Sequence, residues 1–322
     1  CDVALLLNVQ DDHIGVDGID TLEEMADLKG KLLSFATKAV VINADDSRCL
    51  AQRSKVLPET EIIFVSNNPE SATFSTHIAQ GGRGIALNTV NSEEWITFFH
   101  GESSHNLLPV NSIPAVMGGA ARFNIQNSMF AIAAALAQDI ETEKVAAAMT
   151  GFHSSYKTNP GRLNLIPGFP FQILLDFAHN PDGVKELSNV LDQLPCSGNK
   201  VLVSSKIGNR HFQHITAVKD TLLKHFDTFV CSREGSALKN PEYEGQPEDY
   251  MPKQFAKELI QAGAKPANVH VEAASDKAVI KGTELVEEGG MLVLLCDEHE
   301  AFTVLDELKA SLSMQDALTE KI

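Results

Sequence analysis

The chain has 322 residues, 43% of them hydrophobic and 21% charged, a composition typical of ordinary globular proteins. Its 26 basic and 43 acidic residues give a formal net charge of -17, which argues against a nucleic-acid surface because phosphate binding needs clustered lysine and arginine. A chain of this length favours two domains over a single core.

No apolar run approaches the length of a membrane span, and no basic segment precedes an apolar one at the amino terminus. The five cysteines are widely spaced and odd in number, which predicts reduced thiols. These features predict a cytoplasmic protein with no membrane partner. The negative charge would attract a basic substrate such as arginine or lysine.

Apolar runs at 3–9, 40–43 and 61–66 predict buried strands of a parallel sheet. Helical periodicity over 21–36 follows a capping box of Thr21 and Glu24. The predicted apolar face of that helix consists of Leu22, Met25, Leu28, Leu32 and Phe35. The Gly-Gly step at 81–82 predicts a hairpin over 78–90, and two further helices are predicted over 124–137 and 140–149.

The Pro160-Gly161 step breaks the pattern and predicts a linker between domains spanning 1–158 and 159–322. Beyond it, short apolar runs alternate with helical stretches, which is typical of βαβ units and a mostly parallel sheet. The predicted strands are at 171–175, 200–204, 227–231, 268–272 and 291–296. The fold class is therefore predicted to be α/β.

Polar residues cluster after the first strand of the second domain. Asp176 ends that strand, and His179 and Asn180 lead into a helix. Open α/β sheets bind ligands at the carboxyl ends of their strands, so these side chains are candidates for a binding site. The alternative is a strand-to-helix turn in which Asn180 or Asp182 caps the helix, and both interpretations can hold together.

Gly161-Arg162, followed by Asp-Phe-Ala-His-Asn-Pro-Asp-Gly at 176–183, resembles the start of the C-terminal domain of the Mur-type amino-acid ligases. Upstream, Leu-Asn-Val-Gln-Asp-Asp-His at 7–13, Lys29 and Val-Ile-Asn-Ala-Asp-Asp at 41–46 follow in the family's order. Within this family the first 23 residues look most like cyanophycin synthetases. The resemblance implies part of a central ATP-binding domain followed by a Rossmann-like C-terminal domain.

Two residues near the amino terminus are candidates for catalysis and metal binding. His13, beside Asp11 and Asp12, could help hold a divalent cation near a phosphate, or could simply be hydrogen-bonded at a strand end. The resemblance implies that His13 binds magnesium. It also implies that Lys29 is carbamylated, which would give it a carboxylate-like anion for a second metal ion, whereas an ordinary surface lysine is the alternative.

Other residues are candidates for nucleotide binding. Asn124 and Asn127 can share one face of a helix, where they could cap it. The resemblance implies that Asn127 contacts adenine, with Asn124 beside it. It further implies that Arg162 and Asp176 bind ATP, an interdomain salt bridge being the alternative. The residues implied to line the nucleotide or acyl-phosphate side are His179 and Asn180.

The activity implied by the resemblance is an ATP- and Mg²⁺-dependent, ADP-forming ligase that joins an amino acid to an acceptor through an acyl phosphate. The acceptor would be a cyanophycin-like peptide, and the protein could be a homo-oligomer. The chain departs from the cyanophycin synthetase pattern at 208–210 and 232–235, so the resemblance leaves the amino acid open. Peptidoglycan-precursor and folylpolyglutamate-type ligases are the alternatives within the family.

The motif Gly-x-x-x-x-Gly-Lys-Ser/Thr, whose backbone amides cradle phosphates, does not occur in the sequence. In Mur-type ligases that loop lies upstream of the strand that resembles residues 3–9. We therefore expect the sequence to be the later part of a longer ligase, and to be inactive by itself. A non-catalytic binding or scaffold remnant is the alternative from a different functional class.

Overall fold

The structure, a computed structural model, describes residues 1–10, 14, 18–205, 212–233 and 245–319, without the side chains of 212–215 and 312–319. The chain forms two compact units, Cys1–His153 and Ser154–Ile322. We call them the amino-terminal and carboxyl-terminal units. Each contains a six-stranded sheet and is described by itself.

The amino-terminal unit has a mixed sheet in which the strands lie in chain order. The first four strands are parallel, and the last three form an antiparallel meander. The strands are β1 (Val3–Leu6), β2 (Ala39–Asn43), β3 (Glu61–Ser66), β4 (Arg83–Val90), β5 (Glu93–His100) and β6 (Ser103–Pro109). The helices are α1 (Leu22–Gly30), α2 (Ser47–Ala51), α3 (Ala72–Ala79), α4 (Arg122–Ala137) and α5 (Thr142–Gly151).

Apolar cores lie on both faces of this sheet. One face packs against α4, whose buried side chains include Ile125, Met129 and Phe130, and the other packs against α1 and α3. Coverage on both faces explains why β2 is buried along its whole length, as its unbroken apolar sequence predicts.

The predicted hairpin over 78–90 is wrong. Residues 72–79 form α3, capped by Ser71, and Gly81 with φ +88 turns the chain into β4, which pairs in parallel with β3. The hairpins occur one strand later, where β4 pairs with β5 and β5 with β6. The glycine step therefore ends a helix instead of reversing a strand.

The predicted apolar face of the first helix is confirmed at Met25, which is buried, and at Leu22, which packs against the core, but it is wrong at the three later positions. Leu28, Leu32 and Phe35 are 46%, 47% and 64% exposed, whereas Ala26 and Leu33 are buried. The α-helix ends at Gly30, and residues 31–35 continue as a 3-10 helix. A 3-10 helix has three residues per turn, so this change alters which side chains face the core after Gly30, at Leu32 and Phe35; Leu28 is already exposed before it. The predicted capping box of Thr21 and Glu24 is present.

The carboxyl-terminal unit has the strand order β11-β10-β9-β12-β8-β7, in which all but the short edge strand β7 run parallel. The strands are β7 (Asn164–Leu165), β8 (Gln172–Leu175), β9 (Lys200–Ser204), β10 (Thr228–Cys231), β11 (Val269–Val271) and β12 (Met291–Leu295). The helices are α6 (Pro181–Leu191), α7 (Phe212–His225), α8 (Tyr250–Gln261), α9 (Ser275–Leu285) and α10 (Glu298–Thr319).

The predicted α/β class is confirmed, since parallel strands dominate both sheets. The division between the units and the predicted boundary at 158/159 both lie in the irregular segment 152–163. Cys49, Cys231 and Cys296 are buried, Cys196 is half-buried and Cys1 is exposed. Within the part of the chain that the structure covers, no helix combines the length and apolarity needed to cross a membrane.

Candidate functional site

The candidate site of the carboxyl-terminal unit lies at the carboxyl end of β8. Asp176 follows the last residue of that strand and continues the sheet ladder, because its N–H donates to Leu294 O at 3.1 Å. Its two carboxylate oxygens accept the N–H groups of Leu163 at 2.9 Å and Ala178 at 2.8 Å. Asp176 thus joins the turn before the strand to the loop after it.

The turn that carries Arg162 has an unusual backbone. Gly161 and Leu163 have φ values of +68° and +48°. Such a conformation is easy for glycine but costs a leucine about 1–2 kcal/mol. Besides the Asp176 bond, the buried Asn164 side chain accepts Gly161 N–H at 2.7 Å and donates to Arg162 O at 3.1 Å. These bonds hold the turn in a strained form that fixes where Arg162 leaves the backbone.

Arg162 is exposed, and its guanidinium lies 4.9 Å from the ring centroid of Phe177. That distance is within the range of a cation–π interaction. The aromatic residue next to Asp176 therefore supports the arginine. Phe177 and Leu163 are not among the site residues predicted from the sequence. The signal that could have indicated Leu163 is the adjacent Gly161, because glycine often marks a left-handed turn.

His179 and Asn180 lie in the loop between β8 and α6. Asn180 is the N-cap of α6, and its Oδ1 accepts Gly183 N–H at 2.8 Å, while Pro181 occupies the first helical position. The capping interpretation of Asn180 is confirmed. The His179 ring contacts its own loop, with Nδ1 2.8 Å from Phe177 O. Both side chains are half-buried beside the first turn of α6.

Burial raises the pKa of Asp176 above the ordinary aspartate value, and the backbone N–H donors together with the charge of Arg162 oppose the rise. The buried carboxylate is thus compensated by donors in its own unit. Each carboxylate oxygen has two lone pairs, so Asp176 retains acceptor capacity beyond its two backbone bonds. It can therefore accept a ligand hydroxyl without losing its structural contacts.

In the amino-terminal unit the structure brings Asn124 and Asn127 together on the first turns of α4. Asn127 Nδ2 donates to Asn124 Oδ1 at 3.1 Å, and Asn124 Nδ2 donates to Ala115 O at 2.8 Å. Asn127 is exposed and Asn124 is half-buried. Neither caps α4, whose N-cap Ala121 makes no side-chain bond. The pair presents amide groups that could hydrogen-bond a purine edge.

The Asn-Ala-Asp-Asp turn follows β2 and ties three strand ends together. Asn43 donates to Leu7 O at 2.7 Å, and Asp45 accepts Asn67 N–H beyond β3 at 2.6 Å. Asp46 caps α2 through Oδ1, and its Oδ2 accepts Val9 N–H at 3.0 Å. These contacts are structural, and they fix the backbone at Leu7 and Val9, just after β1.

Lys29 lies in the last turn of α1, and it is exposed. Burial and the charge of Asp46 raise the pKa of Cys49 to about 12, and the charge of Lys29 opposes the rise. His13 lies outside the described residues. Among residues that the structure describes, no three His, Cys, Asp or Glu side chains form a metal cluster. The metal roles of His13 and Lys29 therefore stay predictions.

Side chains in each unit offer groups that suit a part of ATP, whereas a ligand set for Mg²⁺ is not found among the described residues. Asp176 has free acceptor capacity for a hydroxyl, and Arg162 has a permanent charge and a planar set of donors suited to a phosphate. The amides of Asn124 and Asn127 suit a base. For Mg²⁺ the described residues offer no comparable ligand set.

Comparison with known proteins finds similarity along most of the chain. Residues 1–135 match the Mur ligase middle domain, and residues 161–296 match the Mur ligase glutamate ligase domain. The cyanophycin synthetase of Nostoc sp. is 28% identical over 300 residues, which are 91% of this chain and 31% of that protein. The UDP-N-acetylmuramoyl-L-alanyl-D-glutamate–2,6-diaminopimelate ligase of Aquifex aeolicus is 22% identical over 320 residues, which are 99% of this chain and 58% of that protein.

Solved structures share the fold. MurF from Acinetobacter baumannii aligns with a TM-score of 0.61 and 17% identity, covering 96% of this chain and 60% of that one. A bifunctional folylpolyglutamate synthase/dihydrofolate synthase, with Mn, AMPPNP and L-glutamate bound, aligns with a TM-score of 0.59 and 17% identity over 97% and 62%. Because two successive domain matches cover most of the sequence, this chain belongs to the Mur ligase family.

Proposed function

We propose that the protein carrying this chain is an ATP-dependent, ADP-forming ligase that joins a carboxylate to the amine of an amino acid through an acyl phosphate. The observation that carries the proposal is the Arg162–Asp176 arrangement at the carboxyl end of β8, in a chain that belongs to the Mur ligase family. A strained turn and a buried, compensated carboxylate are costly features, which functional sites retain more often than purely structural turns do.

The proposed roles follow from the chemistry of each side chain. Arg162 would meet a nucleotide phosphate, and Asp176 would accept hydrogen bonds from ribose hydroxyls. His179 and Asn180 would line the same side, although Asn180 also caps α6. Asn127, held by Asn124, would contact adenine. These residues would bind and orient ATP, and the guanidinium would stabilise charge on the phosphoryl group as it transfers.

Magnesium, when bound, would neutralise phosphate charge, and His13 and carbamylated Lys29 are the residues proposed to hold it. We further propose that the chain comprises domains 1–158 and 159–322, and that the protein acts in the cytoplasm. These 322 residues contain no Gly-x-x-x-x-Gly-Lys-Ser/Thr loop, so by themselves they are expected not to hydrolyse ATP.

The proposed substrates are an amino acid and a cyanophycin-like peptide acceptor. The similarity to cyanophycin synthetases extends over 91% of this chain but spans only about a third of those proteins. The second candidate is a peptidoglycan-precursor or folylpolyglutamate-type ligase, which the similarity to the Aquifex aeolicus enzyme favours. The alternative that is not an enzyme is a non-catalytic remnant that keeps the fold and acts as a binding or scaffold protein.

The test is ADP release by the full-length protein that carries this sequence, with ATP, Mg²⁺, a cyanophycin-like primer and aspartate, arginine or lysine in turn. Release that depends on one amino acid is expected. Asn127→Ala should raise the KM for ATP, because it removes an exposed amide with one intramolecular bond. Gln126→Ala, on the same helix, is the matched control and should leave it unchanged.

The outcomes separate the candidates. Release with a peptidoglycan or folate precursor instead of the primer would favour the second candidate. No release with any acceptor, from a protein that contains its own phosphate-binding loop, would refute the ligase and favour a remnant. Equal effects of Asn127→Ala and Gln126→Ala on the KM for ATP would refute the adenine contact.

A further inference from the structure

Helix α10 holds the segment that leads to Arg162. The ring of Tyr156 stacks on that of Phe302, with ring centroids 3.6 Å apart and ring planes inclined by 3°. The Tyr156 hydroxyl forms a hydrogen bond with Nδ1 of His299 at 2.7 Å. His299 and Phe302 are three residues apart in α10, so they share one face of the helix. We call these two contacts of Tyr156 the α10 anchor.

Further contacts lie along the same helix. A Cβ added at Gly161 would be 3.5 Å from the Cβ of Glu298, so the backbone of the turn lies against the first residue of α10. Beyond β7, Pro167 O accepts a hydrogen bond from Lys309 Nζ at 3.1 Å. The helix is a fixed support, because its Leu305 is buried in the core of the unit. The turn and its flanking segments are therefore held by α10 as well as by the sheet.

Hydrogen bonds join the anchored segment to the turn itself. Ser154, two residues before Tyr156, donates from its Oγ to Arg162 O at 2.5 Å. The buried Asn164 donates from Nδ2 to Arg162 O at 3.1 Å and to Asn159 O at 3.0 Å. The carbonyl of Arg162 thus has two side-chain donors, one from each side of the residue along the chain. A displacement of the anchored segment would therefore be passed directly to Arg162.

The strained backbone of the turn explains why it needs support from both sides. Leu163 has a φ of +48°, and such a conformation persists only where the surrounding structure over-determines it. Asp176 supplies one support by accepting the Leu163 N–H at 2.9 Å. The α10 anchor supplies the other through the bond from Ser154 to Arg162 O. With only one of these supports, the guanidinium would no longer be fixed over the Phe177 ring.

We infer that Tyr156 is a positioning residue that fixes Arg162 for the nucleotide phosphate by holding the preceding segment on α10. The phosphate as the target of Arg162 rests on the proposed function, whereas the anchor rests on the contacts of Tyr156 alone. The stack with Phe302 sets the position of the segment, because it joins two large apolar surfaces. The hydrogen bond to His299 adds direction to the same contact.

The test follows the Nε–Hε resonance of Arg162 by NMR in the isotope-labelled 322-residue chain without ATP, identified as the resonance that Arg162→Lys removes. In the wild type the Phe177 ring should shift this resonance, because the guanidinium lies 4.9 Å from the ring centroid, and Phe177→Leu measures that shift. Tyr156→Ala should abolish most of the shift, and Tyr156→Phe, which keeps the stack, should retain most of it. Ser154→Ala removes only the bond to Arg162 O, so it should reduce the shift even if Tyr156→Ala fails to fold.

Phe169→Ala is the matched control. Phe169 is half-buried like Tyr156, stacks on Phe171 with centroids 5.5 Å apart and packs against the same core. This variant should leave the Arg162 resonance unchanged. A resonance that stays unchanged in both Tyr156→Ala and Ser154→Ala would overturn the positioning role. Equal changes in Tyr156→Ala and Phe169→Ala would overturn it too, because they would indicate general loosening of the unit.

Kinetics of the full-length protein test the consequence for the reaction. Tyr156→Ala should lower kcat by up to about a hundredfold, because a small displacement of a group that stabilises the transition state can cost that much. Tyr156→Phe should restore most of kcat, and the KM for the amino acid should stay unchanged in both variants. An equal fall of kcat in Phe169→Ala would overturn the positioning role. If the Arg162 resonance changes as expected but the protein has no ligase activity, the anchor stands and the proposed function fails.

Discussion

Asp46 should stabilise the amino-terminal unit more than any ordinary surface carboxylate, because three backbone N–H groups depend on it. Its Oδ1 accepts Arg48 N–H at 2.8 Å and Cys49 N–H at 3.1 Å, and its Oδ2 accepts Val9 N–H at 3.0 Å. Val9 and Cys49 are buried, so water cannot readily replace the lost acceptor. Asp46→Ala leaves all three donors without it.

The expected loss of unfolding free energy follows from the bonds that each of the two carboxylate oxygens accepts. Loss of an N-cap costs typically about 1 kcal/mol. Loss of a hydrogen bond to a charged acceptor costs about 1.5–3 kcal/mol, so the total is about 3 kcal/mol. For a unit of this size that corresponds to a fall of about 6–12 °C in unfolding temperature. Asp46→Asn keeps a good cap but only one acceptor oxygen, so its free energy of unfolding should lie between those of the wild type and Asp46→Ala.

The assay is urea unfolding followed by tryptophan fluorescence. Trp95 is the only tryptophan in the sequence and lies in β5, so its signal reports the amino-terminal unit alone. Asp27→Ala is the control, since that carboxylate pairs with Lys55 at the surface and should contribute little. If Asp46→Ala unfolded at the same urea concentration as Asp27→Ala, the three hydrogen bonds would not support the fold as we argue.

Three further predictions concern stability and reactivity. Burial lowers the pKa of His77 below 6.5, so the folded protein binds a proton at this residue less readily than the unfolded chain does. The free energy of unfolding of the wild type, relative to that of His77→Gln, should therefore fall as the pH drops below 6.5. A difference in unfolding free energy that stays constant with pH would contradict this. Gly282→Ala should lower the unfolding temperature, because the added Cβ would collide with Val203. Gly151→Ala should not, because no atom lies near the position of its added Cβ. Equal effects of the two variants on the unfolding temperature would exclude overpacking at Gly282. Iodoacetamide should modify the exposed Cys1 long before Cys49, because burial raises the pKa of Cys49 to about 12 and so keeps it protonated. Peptide mass mapping would measure the two rates, and comparable rates would indicate that Cys49 is accessible.

The strands of the fold were largely predictable from the sequence because they are buried on both faces. β3 and β9 have the predicted bounds, since an unbroken apolar run reports burial directly. The helix-capping box of Thr21 and Glu24 was predictable because it is a local interaction. By contrast, the hairpin expected at Gly81 depended on which strand β4 would pair with, and that pairing is decided by tertiary contacts.

The candidate site was predictable in its residue types but not in its geometry. The sequence indicated Asp176 and Arg162, because their order resembles a family pattern. It could not indicate that Phe177 lies beneath the guanidinium, since that contact depends on how the turn before β7 packs against the loop after β8. The predicted α1 face was wrong at Leu32 and Phe35 because the change to a 3-10 helix after Gly30 leaves no signal in the hydrophobic pattern.

These observations decide how substitutions of Asp176 should be interpreted. Asp176→Ala would remove the acceptors of Leu163 and Ala178 together with any nucleotide contact, so the strained turn would relax and Arg162 would move. A loss of activity would then combine a lost contact with a displaced arginine. Asn127 lacks this ambiguity, because its side chain donates to Asn124 and supports no strained backbone. The nucleotide interpretation of the Mur ligase fold in this chain is therefore tested more cleanly through Asn127, and Asp176 is better treated as the residue that positions Arg162 while retaining capacity to bind the ribose.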